Sequence, residues 1–175
     1  MDYYSIESTF SLIKDNFRYY SQDYGNDDIP IDKLILNNYI TYWKDSKRKK
    51  EDVKGIFLEV GAFDGITYSN TKTLEDNLKF TGILIDASPS SFENMSQNRP
   101  KCKNHNYAIS NIDSEYLSFL DNVNSLGGLK RILENTYDKN NRNWIDAWNI
   151  SREEIKVKVK KLSNVLNEDN IKYID

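Results

Sequence analysis

Through the middle of this chain, short apolar runs alternate with helix-length amphipathic stretches. Ile56–Val60, bounded by Gly55 and Gly61, predicts a buried strand. Residues 71–80 follow, with Leu74 and Leu78 one turn apart, and predict a helix with an apolar inner face. Ile83–Asp86 predicts a second strand. Ser90 and Glu93 have capping-box spacing, so a helix is expected to open there and to end near Arg99-Pro100. Asn106–Ile109 predicts a third strand. Strands and helices in this alternation give an α/β fold with a parallel sheet covered on both faces.

The flanks read differently. Ile6, Phe10, Ile13 and Phe17 form a helical stripe over residues 5–18. A polar turn from Gln22 to Pro30 interrupts it. Asp32 is expected to cap a second helix reaching about Trp43, with Leu36 and Ile40 on one face. Beyond Ser110, Tyr116–Leu120 predicts a strand and Gly127-Gly128 marks flexible backbone. Residues 129–149 read as a polar helix that Trp144 and Trp148 anchor to the body. Ile155–Lys160 alternates strictly, so Lys156, Lys158 and Lys160 are expected on the wet face of an edge strand. A short helix over Leu162–Leu166 and a strand from Ile171 to Asp175 complete the pattern.

Composition narrows the function classes. The 175 residues are 38% hydrophobic and carry a net charge of -3, which fits one folded domain and argues against a nucleic-acid binder. The basic run Lys47–Lys50 is followed at once by Glu51 and Asp52 and reads as a solvated loop. One cysteine, Cys102, permits no intramolecular disulfide. Neither a signal peptide nor a membrane-spanning run is evident, so the expectation is a soluble, intracellular protein, cytoplasmic by default. Cys102 stands between two lysines, a setting that can lower thiol pKa, but with no evident partner it reads as incidental. His105 reads as a packing or surface residue, and the N-terminal tyrosines as core or lid packing. No metal site is expected.

The chemistry concentrates at two strand ends. Gly61 and Gly65 bracket a tight turn opening toward a helix, where free N–H groups approach a ligand. Glu59, at the first strand's carboxyl end, is placed to meet the ammonium of an amino-acid ligand. Asp86, ending the next strand, is placed to accept ribose hydroxyls. The spacing is G-x-x-x-G rather than G-x-G-x-x-G, which disfavours a dinucleotide oxidoreductase. Two readings stay open on these residues. One is a seat for S-adenosylmethionine, which joins an amino acid to a nucleoside without a pyrophosphate. The other is an ordinary glycine turn with Asp86 as a cap.

The ordered motifs resemble those of the FkbM-type methyltransferases. Phe57-Leu-Glu-Val-Gly-Ala-Phe-Asp-Gly-Ile-Thr-Tyr-Ser-Asn-Thr71 is similar to their first motif. Gly82-Ile-Leu-Ile-Asp-Ala-Ser-Pro-Ser-Ser-Phe92 is similar to their second, and Asn106-Tyr-Ala-Ile-Ser110 to their third-strand element. Tyr20-Ser-Gln22 with Asp32-Lys33 resembles their lead-in, and residues 161–175 the approach to their fourth core strand. The resemblance implies a Rossmann-like, class I methyltransferase-type parallel sheet with flanking helices and an N-terminal helical flank. It implies one domain over 1–175: a flank at 1–50, a cofactor-binding core at 55–110, an insertion or hairpin region at 111–161, and the start of the fourth core strand at 162–175. It further implies that Glu59, Gly61, Ala62, Asp64 and Gly65 cradle the methionine part of S-adenosyl-L-methionine. Asp86 would then hold the ribose, Ala87 and Ser88 flank the adenine, and Ala108 and Ile109 line its other side. Family members often carry Glu at position 86 and Asn at position 63.

The implied reaction is O-methylation of a sugar or other small hydroxyl acceptor, with neither nucleic acid nor membrane as partner. The family continues past the position of Asp175 with an Asp-x-Glu-Gly element, so the C-terminal half of the sheet is expected to be missing. No catalytic residue is assigned, stand-alone activity is in doubt, and self-association through the incomplete sheet is expected. The alternative is a truncated, non-catalytic relative that serves as a binding or interaction module or has no function.

Overall fold

The computed structural model describes residues 18–21, 23–24, 29–36, 38, 54–78, 80–121, 127–135 and 153–175. The helix expected over 5–18, the basic run and the two tryptophans at 144 and 148 lie outside them. So does most of the second helix, of which residues 31–36 are helical. Two short strands, β1 (Asp23–Tyr24) and β2 (Ile29–Pro30), pair antiparallel ahead of it.

β3 (Ile56–Val60), β4 (Thr81–Asp86) and β5 (Lys103–Asn106) form a parallel sheet in that order. Helix α1 (Lys72–Asn77) connects the first pair and α2 (Pro89–Asn98) the second. Period-two alternation divides the sheet. Phe57 and Leu84 join a core with Leu74, Leu78 and Met95 from the two helices, together with Leu36. Ile83 and Ile85 point the other way, onto Val165 of α4 (Leu162–Glu168). Each fully buried aliphatic side chain contributes about 1.5–3 kcal/mol of transfer free energy. The sheet is therefore covered on both faces, as the alternation predicts.

Asp32 does not cap its helix, which already starts at Ile31. Its buried carboxylate accepts hydrogen bonds from Tyr20 N (2.7 Å), Ser21 Oγ (2.8 Å), Lys33 N (3.0 Å) and Thr73 Oγ1 (2.6 Å). Ser21 and Asp32 thus tie the N-terminal segment to α1. The capping box is also displaced. α2 opens two residues earlier than predicted, with Ser88 at the N-cap and Pro89 in the first turn, where a missing N–H costs nothing.

The predicted third strand divides. Residues up to Asn106 pair with β4, whereas β6 (Ala108–Ile109) joins a second sheet. That sheet has the order β6–β9–β7–β8, with β7 spanning Ser114–Asp121, β8 Gly128–Leu129 and β9 Glu153–Lys160. A four-residue helix, α3 (Lys130–Leu133), follows β8. β9 lies between β6 and β7, so it is not an edge strand. Its alternation nevertheless holds: Val157 and Val159 are buried while Lys156 and Lys158 are exposed.

Residues 171–175 form no strand. Asp175 reaches the open side of β3, where its N–H donates to Ile56 O (3.0 Å) and its carboxylate accepts from Ile56 N (3.0 Å). No helix among the described residues is long and apolar enough to cross a membrane.

Candidate functional site

The bend after β3 is built by backbone. Gly61 N and Ala62 N both donate to Ile85 O, at 2.8 and 3.1 Å, which pins the bend to β4. Gly65 N donates to Ala62 O at 2.8 Å and closes the turn. Gly61 and Gly65 both sit at φ 76°, and Phe63 and Tyr68 share the left-handed region at 51° and 61°. Side chains at such φ values are strained, and backbone strain of this kind collects at ligand sites.

Asp86 meets that bend. Its Oδ2 accepts from Phe63 N at 2.7 Å and its Oδ1 from Ser88 N at 2.9 Å. Asn106 steadies the same strand tip by donating to the carbonyls of Asp86 (2.9 Å) and Ala87 (3.0 Å). Burial pushes the Asp86 carboxyl above the usual carboxylate range, and the charge of Asp121 adds to this. The two N–H donors pull against it. A carboxylate offers about four acceptor positions, so two donors leave room for hydroxyls.

A cavity of about 280 Å³ opens beside these groups. Gly61, Phe63 and the Ile85–Ser88 strand tip line it from the first sheet. Ala108 and Ile109 of β6, Phe119 and Asp121 of β7, and Leu129 of β8 line it from the second, joined by Leu133 of α3. A side chain grown at Gly61 would meet nothing within 4 Å, so the backbone there is open to a ligand.

Six of the ten residues expected at a cofactor line this cavity: Gly61, Asp86, Ala87, Ser88, Ala108 and Ile109. Four do not. Ala62 is buried in the helix-covered core. Gly65 is buried against Arg99 and Met95, so its glycine serves close packing. Asp64 is used locally, its carboxylate accepting from Ile66 N (2.8 Å), Thr67 N (2.6 Å) and Thr67 Oγ1 (2.7 Å).

Glu59 is the principal departure from expectation. Its carboxylate accepts from Ser69 Oγ (2.8 Å), Asn70 N (2.7 Å) and Thr71 Oγ1 (2.6 Å), and Arg99 Nη1 lies 3.4 Å away. Arg99 is fully buried, pairs also with Glu75, and lies over the Phe57 ring. Glu59 therefore braces the bend from inside and does not face the cavity. Burial, with the Glu75 charge beside it, pushes the Cys102 thiol up to about 11, against the opposing charge of Arg99. His105 is a packing residue, with Nε2 2.8 Å from Asp169 and the ring stacked on Tyr107.

Sequence reasoning missed Phe63, Tyr107, Phe119, Asp121 and Leu129 at the cavity. The Gly127-Gly128 pair was the available signal, because it stands at the start of β8, which pairs Leu129 with Phe119. Comparison of the chain with family models, curated proteins and solved structures returned no match.

Proposed function

We propose that the cavity between Gly61 and Asp86 binds S-adenosylmethionine and that the chain is a methyltransferase of the FkbM type acting on a hydroxyl group of a sugar or other small acceptor. The observation that supports this reading is the Asp86 carboxylate, half-buried at a strand tip, accepting a hydrogen bond at 2.7 Å from Phe63 N in a glycine-bracketed bend. A paired set of hydroxyls suits the acceptor positions left on Asp86, and apolar walls suit a flat heterocycle. The open backbone at Gly61 leaves a path for the amino-acid end. Glu59 takes no part in holding it.

When bound, this donor supplies an electrophilic methyl group on a sulfonium. The residues of the chain hold and orient it, and orientation carries much of the catalysis in an in-line displacement. The proton of the acceptor hydroxyl passes to a base as the oxygen takes the methyl group.

Calorimetry tests the reading directly. S-adenosylmethionine and S-adenosylhomocysteine should bind the full chain, and Asp86→Ala should abolish both isotherms while the variant stays folded by circular dichroism. Binding without turnover of any hydroxyl acceptor would make the chain a ligand-binding module instead. A folded wild-type chain that gives no heat with either compound would end the proposal.

A further inference from the structure

Ser88 serves three masters at once. Its N–H donates to Asp86 Oδ1 at 2.9 Å, its hydroxyl donates to Asp121 Oδ2 at 3.0 Å, and the same oxygen accepts from Ser91 N at 3.4 Å as the cap of α2. The cap bond is long for an N–H donor, whereas the bond across to Asp121 has an ordinary length. Ser88 is 4% exposed, so the hydroxyl is held by protein partners away from bulk water. A hydroxyl carries one proton. Given to Asp121, it leaves Ser90 Oγ, 3.1 Å away, to act as donor toward Ser88.

Asp121 is the last residue of β7 and belongs to the hairpin sheet, which shares no ladder with β4. Asp86 ends β4. Ser88 is the bridge between two carboxylates that line one cavity from two different sheets. We infer that Asp121 is a positioning residue: by holding Ser88, it aims the Ser88 N–H that fixes the Asp86 carboxylate, so that hydroxyl recognition at the β4 tip depends on the hairpin sheet. This rests on the nucleoside reading above and deepens it. Asp121 acts here on the ligand through Ser88 and Asp86. Loss of its side chain frees the Ser88 hydroxyl, lets the residue 87–88 backbone turn, and leaves Oδ1 of Asp86 without its aligned donor.

The test is a set of calorimetric titrations on the full chain with adenosine, 2′,3′-dideoxyadenosine and S-adenosylhomocysteine. Asp121→Ala should weaken adenosine and S-adenosylhomocysteine by about tenfold and leave the dideoxy compound unchanged, since only the former carry the paired 2′- and 3′-hydroxyls of the ribose. Asp121→Asn keeps an oxygen acceptor for Ser88 and should restore most of the affinity. Ser88→Ala should match Asp121→Ala, and the double variant should lose no more than either single one, as expected for residues acting in series. Thermal melts of each variant separate misfolding from loss of binding. Additive losses, or equal losses for the dideoxy compound, would overturn the inference in favour of direct contact or general damage. Wild-type binding with Asp121→Ala unaffected removes this inference alone. Absence of wild-type binding to any of the three removes it together with the nucleoside reading.

Discussion

The carboxylate of Glu59 and the guanidinium of Arg99 meet 3.4 Å apart, with the arginine side chain wholly out of solvent and the glutamate nearly so. Arg99 also holds Glu75 and donates to Ser69 Oγ (3.2 Å) and Thr71 Oγ1 (3.0 Å). Removing it leaves the buried Glu59 and the partly buried Glu75 carboxylates without their shared cation. Arg99→Leu is therefore expected to cost about 3–5 kcal/mol in urea unfolding. A loss below about 1 kcal/mol would mean that water or side-chain rotation relieves both acids.

Asp32 offers a second stability test. Four donors from three segments converge on it, and Asp32→Ala leaves all of them without that acceptor. The expected loss is about 3 kcal/mol or more, against about 1 kcal/mol for Thr73→Val, which removes one donor. Denaturant midpoints compare the two. Equal midpoints would show that the N-terminal segment is not docked through this carboxylate.

The two glycines of the bend should respond differently to alanine. Both pay about 1–2 kcal/mol for positive φ. At Gly65 the new methyl also meets Arg99 Cδ at 3.1 Å and Met95 Cγ at 3.3 Å, whereas at Gly61 it meets open space. Gly65→Ala should thus be the less stable variant. Gly61→Ala should keep most of its stability and instead weaken ligand binding, because its methyl enters the cavity. Melting curves and titrations run side by side decide the matter, and the reverse ranking would contradict the assigned roles.

These residues also show what could be read in advance. β3 and β4 were legible because each is a dense apolar run with its side chains buried on one or both faces. β5 was not, since Lys103-Asn-His-Asn106 has no apolar residue. It is a strand because its backbone completes the β4 ladder, while Asn104 bonds to nearby carbonyls and His105 to Asp169. The apolar run that suggested a third strand, at Ala108–Ile109, belongs to the other sheet. At the cavity, the position of Asp86 was legible because it is a carboxylate that ends a strand next to a glycine bend. Glu59 has the same local signature. Its partner Arg99 lies 40 positions away, and local pattern carries no information about such a pairing. Asp121 was invisible for the same reason.

Cys102 yields a pH prediction. Its thiol is raised from 9.0 to about 11 in the folded chain, chiefly by burial. The folded state therefore keeps a proton that the unfolded chain releases. The resulting stability is fully present below about pH 9 and is lost as pH rises through about 11. At pH 8 the native chain should resist iodoacetamide and the urea-unfolded chain should react rapidly. Comparable rates in the two states would show that the thiol is accessible and not buried.

Among the described residues no strand pairs with the side of β3 away from β4. Asp175 occupies Ile56, but among the described residues the backbone groups of Leu58 and Val60 on that side have no partner, and Val60 is half exposed. Unpaired edges recruit other strands. Light scattering across a concentration series should show self-association that Leu58→Pro diminishes, provided that this variant melts cooperatively. A monodisperse monomer at every concentration would show that the edge is protected.

Tyr107 is the single residue between β5 and β6, where one run of chain leaves the first sheet and enters the second. Whatever fills the cavity is in contact with both hydrogen-bonded networks and acts as a rivet through the seam. Amide hydrogen exchange should then slow in concert at Ile85 and at Val159 upon saturation, though the two positions share no ladder.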